Sequence, residues 1–480
     1  MRILHYFWID PSDPARRGGG VRGYVQALMA AQASLPRLEV SSLASGLVHD
    51  LRPRAPRWRG VRPGHFEIVN SATLAPSHAD FATLAQIADA GTEAAFADFL
   101  SRTGPYDIVH LHGLEGVPAR VLACAAQGSR VLVSLHNYHP FCPQVNLWWK
   151  ETASCTDFDD GRRCGACLPV QTRPGPVRLA YALESKLARA RMGPGTAAYR
   201  KLWQPLMRAG WWAMRKVARL PSGRGSPEPP PPPDSGSAFR QRRAEMVQLL
   251  NAHCDAVLAV SQRTAEIARG FGLSRVRCVY IGSDHARHWP LTAPHAMPAQ
   301  FTPARPLRLV YLGYMRDDKG FGFLLQALHA LPPEQARRVH LCVAARRGAA
   351  RFMQAMTTLE VRLAGLTWHD GYVPADLDDI LAQADFGVVL PLWEDNLPQV
   401  ALEMHARHIP LITSDRGGAQ ELGGTSALVF RAGDVSDFCA LMARVLSGGA
   451  ELQGYWDGAR VPASMAQHAK DLMRHYTGAA

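Results

Sequence analysis

The sequence predicts two α/β domains facing each other across a cleft, each a parallel sheet covered by helices on both faces. Three observations predict this. The 480 residues exceed what one hydrophobic core usually supports. Strand-like apolar runs alternate with helical periods through both halves. Between the halves, residues 285–306 hold five prolines and little periodicity, as a connecting segment does. Hydrophobic residues make up 47% and charged residues 20%, a globular composition that excludes a largely disordered, collagenous or coiled-coil chain.

In the first half the expected strands are 3–9, 66–69, 107–111, 130–135 and 256–260, with helical spacing over 21–33 and 81–100. The second half repeats the scheme with strands 307–312, 339–343, 386–390, 410–413 and 427–430. The boundaries that follow are a first domain over 1–284, a linker over 285–306, a second domain over 307–455 and a terminal helix over 456–480 that returns toward the first domain. An insert of about 142–243 interrupts the first domain with a cysteine cluster, basic helical stretches and the proline run Pro229 to Pro233.

Lys and Arg total 53 against 41 Asp and Glu, a net +12. Residues 171–220 alone hold eleven basic residues and one acid, Glu184. The charge therefore belongs to the insert, and with no RNA- or DNA-reading motif beside it nucleic acid is not an expected partner. Around Arg200 to Leu220 the apolar Leu202, Trp203, Leu206 and Met207 fall opposite Arg208, Arg215, Lys216 and Arg219. Such a helix, spanning 196–220, suits either an anionic membrane surface or the apolar face of its own first domain. No run approaches the roughly 20 apolar residues that cross a bilayer. The opening segment is too short for a cleaved export signal, so a cytoplasmic protein is expected, with peripheral contact at the inner face of the membrane.

In doubly wound sheets ligands collect at the carboxyl ends of the strands, so strand-end polar residues are the candidate site. Gly18, Gly19 and Gly20 follow the first strand, where backbone amides can approach an anion. His110, His112 and His136 end two parallel strands. In the second half, Gly313 ends a strand and Arg316 and Lys319 precede a helix, where a cation adds to the helix dipole in holding a diphosphate. Asp395, Asn396 and Leu397 occupy the loop after strand 386–390, and Glu403 lies on the following helix, with Pro398 suited to its first turn. Carboxylates there suit sugar or ribose hydroxyls. Asp415 to Leu422 forms a further glycine-containing turn. No G-x-G-x-x-G follows a strand, which argues against a nucleotide-dependent oxidoreductase.

Taken in order, these motifs resemble the retaining glycosyltransferases of the GT-B fold, in the family-four group that uses nucleoside-diphosphate sugars. The resemblance implies two Rossmann-like domains and assigns roles. Lys319 would neutralise the leaving diphosphate, Glu403 would bind the ribose, and Asp395 with the amides of Asn396 and Leu397 the donor sugar. His136 would contact the sugar near the reacting carbon; Gly19, Gly20, Gly313 and Arg316 would line the donor site. The implied donor is UDP- or GDP-linked, the acceptor a glycan or lipid-linked sugar of bacterial surface polysaccharide, and no cofactor is required for catalysis. Two positions depart from the family: Tyr314 stands where an Arg is usual, and Asp395 where a Glu is usual, with Glu394 one residue too early. A binding or scaffolding homologue with weakened turnover is the alternative.

Cys142, Cys155, Cys164 and Cys167 fall within 26 residues, and the last pair has the spacing of a zinc knuckle. A structural zinc is expected; an iron–sulfur cluster and metal-free thiols are the alternatives. The resemblance adds that some members of the group carry a similar set. Cys124, Cys254, Cys278, Cys342 and Cys439 are expected to be small buried side chains.

Overall fold

In the computed structural model the described residues are 1–52, 54–76, 84–156, 161–165, 167, 174–210, 236–450 and 452–479. Two sheets organise them. The first has eight strands in the order Val276–Cys278, Ala256–Ala259, Arg130–Leu135, Ile108–Leu111, Arg2–Tyr6, Glu39–Val48, His65–Val69, Arg57–Arg62. All neighbours are parallel except the last pair, where Arg57–Arg62 turns back as an antiparallel edge. The second sheet has six parallel strands in the order Gly365–Asp370, Val339–Arg346, Leu307–Tyr314, Phe386–Val389, Leu411–Ser414, Val429–Phe430. Numbered along the chain, that is 3-2-1-4-5-6, the doubly wound Rossmann order, whose crevice opens between the first and fourth strands.

The central strands are buried on both faces, which is why they read as continuous apolar runs. Where the chain was harder to read, small polar residues do the pairing. Glu39–Val48 carries Ser41, Ser42, Ser45 and Gly46, and it is an inner strand all the same: Ser42 Oγ bonds His65 Nδ1 at 2.7 Å and Ser45 Oγ donates to Gly116 O at 2.7 Å. The helical period expected over 81–100 begins in part outside the described residues. Within them a separate turn, Leu84–Gln86, precedes a helix Ala90–Thr103, because Asp89 caps that helix by accepting from Thr92 N–H.

The halves are joined twice. The segment 285–306 is more than a tether: Asp284–Leu291 is helical and packs on the second domain, with Trp289 stacked on His408 at 4.0 Å between ring centres. The chain then returns. The helix Met465–Thr477 packs against Gly19–Ala33 through Met465, Ala469, Leu472 and Tyr476. The two crossings touch, with Ser283 N–H donating to Ala463 O at 2.9 Å.

Only part of the basic insert lies among the described residues; Arg215, Lys216, Arg219 and the proline run fall outside them. Pro174–Arg189 is a helix whose inner face docks on the first domain through Val177 and Ala182. Over Tyr199–Trp203 the winding is π rather than α, and Pro205 follows within a turn. Of the apolar side described, Leu202 and Leu206 are 72% and 62% exposed, whereas Trp203 and Met207 are half-buried; Met214, Val217 and Leu220 fall outside the described residues. Of the scattered cysteines, Cys254 and Cys342 are buried, whereas Cys124, Cys278 and Cys439 are half-buried.

Candidate active site

The loops at the carboxyl ends of Leu307–Tyr314 and Phe386–Val389, the switch point of the second sheet, carry the predicted residues of that domain. Gly313 has φ 131, a conformation suited to glycine, and a side chain there would meet open space. Tyr314 is 61% exposed. Gly320, at φ 74, caps the helix Phe321–Ala330, and its Cα faces the carbonyl of Leu390 so closely that a Cβ would collide. That contact presses the Lys319 loop onto the Asp395 loop. Lys319 Nζ pairs with Asp395 Oδ2 at 2.5 Å and lies 5.0 Å from the ring centre of Trp393. Arg316 instead turns away to Asp318, 2.8 Å from Oδ1.

The Asp395 loop ends where Gln399–His405 begins, with Pro398 at the N-cap rather than inside the first turn. Glu403 sits one turn in. It accepts from Tyr372 Oη at 3.2 Å and lies 3.7 Å from His285 Nε2, and burial raises its pKa despite Tyr372 and Arg407. Asn396 donates to Leu135 O at 3.4 Å, while its buried Oδ1 and the nearby Trp393 Nε1 have no partner among the described residues. Leu397 is buried in the apolar layer between the domains. On the facing domain, Gly19 and Gly20 open the helix Gly19–Ala33, and Gly20 O accepts from Gln399 Nε2 at 2.8 Å. Thus Asp395 and Lys319 meet directly, Gly20 and Asn396 bring the first domain to them, and Arg316 stands apart.

Glu394, one position before Asp395, has a role its sequence context concealed. It is fully buried, and Arg263 of the first domain grips it at 2.9 and 2.7 Å; Arg416 at 3.2 Å and Gly417 N–H at 3.1 Å complete its shell. Burial opposes its ionisation, but Arg263 and Arg416 hold its pKa below the usual range. Glu421 adds a second tie. It accepts the N–H groups of Gln262 at 2.8 Å and Arg263 at 2.7 Å, opening the helix Gln262–Gly270, and Tyr280 Oη donates to it at 2.5 Å. These two carboxylates hold the first domain against the loops after Phe386–Val389 and Leu411–Ser414.

His136 belongs to a buried relay that the parallel register assembles: His5 stands opposite His110 on adjacent strands. His136 Nε2 lies 3.2 Å from His112 Nδ1, His112 Nε2 lies 2.9 Å from His5 Nδ1, and His5 Nε2 lies 2.6 Å from Gln32 Oε1. Gln32 in turn donates to Tyr476 Oη at 3.1 Å, and that hydroxyl lies 2.8 Å from His110 Nδ1. An amide oxygen can only accept, so with Gln32 in this orientation His5 carries its proton on Nε2 and accepts at Nδ1. The same logic passes outward: His112 and His136 are protonated on Nε2, and His136 Nδ1 is left a bare acceptor. Burial holds these rings neutral, lowering His5 to about 4 and His136 to about 3 and His110 and His112 well below the usual value. His5, His110 and His112 offer ring nitrogens within 4.8 Å of one another. Each of their ring nitrogens has a hydrogen-bond partner, His110 Nε2 lying 2.8 Å from Ser134 Oγ.

The four clustered cysteines, all under 9% exposed, line one small cavity walled by Trp148 and Trp149. Between them a ribbon pairs Trp148 with Ser154 and Trp149 with Ala153. None of the nine cysteines is in a disulfide.

Residues 306–448 match the family described as Glycosyl transferases group 1. Among solved structures the chain is similar to the sucrose-phosphate synthase (tll1590) from Thermosynechococcus elongatus, with 100% of both chains covered, 16% identity and a TM-score of 0.55. It is also similar to an α,α-trehalose-phosphate synthase (UDP-forming) from Burkholderia xenovorans, solved with glucose-6-phosphate, over 100% of both chains at 13% identity and TM-score 0.53. Anabaena Alr3699/HepE in complex with UDP matches 99% of this chain and 95% of its own at 14% identity and TM-score 0.50. No curated protein matches in sequence.

Proposed function

We propose that the chain is a glycosyltransferase that uses a UDP- or GDP-linked sugar and transfers it, with retention, to a glycan or lipid-linked acceptor of bacterial surface polysaccharide; the match of residues 306–448 to the Glycosyl transferases group 1 family and the GT-B fold of the chain support this reading. The observation that carries the reading is the Lys319–Asp395 pair at the switch point, beside a buried Asn396 oxygen with no partner. A diphosphate entering there competes with Asp395 for the ammonium. Once Lys319 turns to phosphate, Asp395 is released to accept hydroxyls of the donor sugar, and the two groups serve opposite ends of the bond that breaks. As the sugar carbon–oxygen bond lengthens, negative charge grows on the diphosphate, and one fixed cation at such a site is worth roughly 10²–10³-fold in rate. The bare Nδ1 of His136 supplies an acceptor from the facing domain. Glu403, half-buried beside Tyr372, suits the hydroxyls of a ribose diol.

A weakened homologue remains the rival reading, favoured by one observation: Arg316 is committed to Asp318, and Tyr314 adds no charge, so Lys319 faces the diphosphate without a second cation from this loop. Release of nucleoside diphosphate from a panel of UDP- and GDP-sugars decides between them. The enzyme requires turnover that Lys319→Ala and Glu403→Ala reduce at least 100-fold in folded protein; donor-induced thermal stabilisation with no turnover for any donor supports the rival.

The insert supports a membrane-held acceptor. Leu179, Leu183, Leu202 and Leu206 are exposed beside Lys186, Arg200, Lys201 and Arg208, a pairing of apolar and cationic groups that suits an anionic headgroup layer. No helix among the described residues is long and apolar enough to cross a membrane. Sedimentation with anionic but not neutral vesicles, lost in Leu202→Ser/Leu206→Ser, tests this contact.

A further inference from the structure

We infer that Cys142, Cys155, Cys164 and Cys167 form a tetrathiolate zinc site that anchors the segment following His136 to the body of the first domain. The cavity they share is small, with Pro143, Gln144, Trp148, Trp149 and Arg163 as its other walls, so water has little room to solvate a bound ion. Soft sulfur donors in a dry tetrahedral setting select zinc over oxygen-seeking cations.

Two independent features prepare the site for negative charge. The first is hydrogen bonding to sulfur: Gln144 Nε2 donates to Cys167 Sγ at 3.0 Å and Lys150 N–H at 3.3 Å. Those donors come from the tight turns around the ribbon, where Val145, Leu147, Lys150 and Glu151 all have positive φ, a conformation such residues rarely adopt. The second is Arg242. Its side chain is almost fully buried, and its hydrogen bonds go to neutral acceptors: Gln86 Oε1 at 2.5 Å, His139 O at 2.8 Å and Pro140 O at 3.4 Å. Burial lowers its pKa to about 10, and the neighbours that oppose this are first Cys142 and Cys164, then Glu115. Glu115 is one anionic neighbour of this guanidinium; a zinc tetrathiolate, whose net charge is −2, would be another.

Without metal the thiols hold their protons, since burial raises Cys142 to about 11 and Cys164 to about 12. They have also not closed on a common centre: among the described residues the set of three ligand atoms within 4.8 Å consists of histidines. Binding therefore turns the side chains inward and releases four protons as Zn²⁺ takes four thiolates, so affinity falls steeply with acid. No redox change occurs.

The test uses the full chain purified under reducing conditions without chelator. One zinc per chain by mass spectrometry of the element, with these four cysteines protected from iodoacetamide in peptide mapping until a mercurial releases the metal into a zinc-binding dye, is the expected result. Cys164→Ser should lose at least nine-tenths of the zinc, and Cys164→His should keep it, because imidazole is also a zinc ligand. Should the serine variant fail to fold, the mercurial titration of the parent protein still decides. Iron with a visible charge-transfer band, absence of metal with all four thiols alkylated, or zinc retained in Cys164→Ser but lost in His112→Gln would each overturn the assignment.

Discussion

Replacing Glu394 by Gln removes a buried charge that two arginines from different parts of the chain share. Breaking a buried ion pair typically costs about 3–5 kcal/mol because the surviving charge is stranded. Here the survivors are not stranded. Arg263 and Arg416 are each 32% exposed at the side chain, so water recovers part of the loss, and the Gln oxygen still accepts one bond. The expected loss is therefore about 2 kcal/mol, less than a fully buried pair and more than a surface one. For a domain of 150–250 residues that is a fall in Tm of roughly 4–8 °C. Because Arg263 belongs to the first domain, the decisive assay is a double-mutant cycle with Arg263→Met in urea unfolding, run beside small-angle scattering of both single variants. The coupling between the sites should reach about 1–2 kcal/mol, and the scattering should report an expanded molecule as the domains part. Additive losses with unchanged dimensions would refute the claim that Glu394 ties the domains.

Other outcomes follow from the relay and its burial. Gln32→Leu leaves His5 Nε2 without its acceptor and costs about 1–3 kcal/mol; imidazole ¹⁵N shifts should show His136 as a mixture of tautomers, with kcat falling more than KM changes. A single His136 tautomer in that variant would refute the relay. Acid should destabilise the chain: His5 and His468 fall to about 4 and His136 to about 3, below the unfolded value of about 6.5. Above that value the rings are neutral in both states and nothing is lost; below it the unfolded chain takes up protons that the folded one refuses. Stability should decline by up to ~1.4 kcal/mol per pH unit per ring between pH 6.5 and 4. Urea midpoints at pH 7 and pH 5 check this, and equal midpoints would sink it.

How much of this could be read along the chain depended on range. Arg130–Leu135 was legible to the residue because Val131, Leu132, Val133 and Leu135 make it mostly apolar and it is buried on both faces. Gly365–Asp370 was missed because it is an edge strand of half-exposed, partly polar residues. The loops bearing Lys319 and Asp395 were legible through motif spacing, since each follows a recognisable strand. Glu394 was not, because its partner Arg263 lies 131 positions away and nothing local distinguishes a latch from a displaced motif residue. The histidines were visible singly; only the register that sets His5 against His110 turns them into a chain of bonds. The terminal helix could be expected to return, yet no pattern announced that Tyr476 would complete that chain.

The paired crossings at Ser283 and Ala463 bear on how the molecule moves. A body tethered by one strand can swivel in any direction; one held by two strands bonded to each other opens like a book along its spine. Any separation of the halves should then leave the spine barely shifted and move most the edge that lies farthest from it.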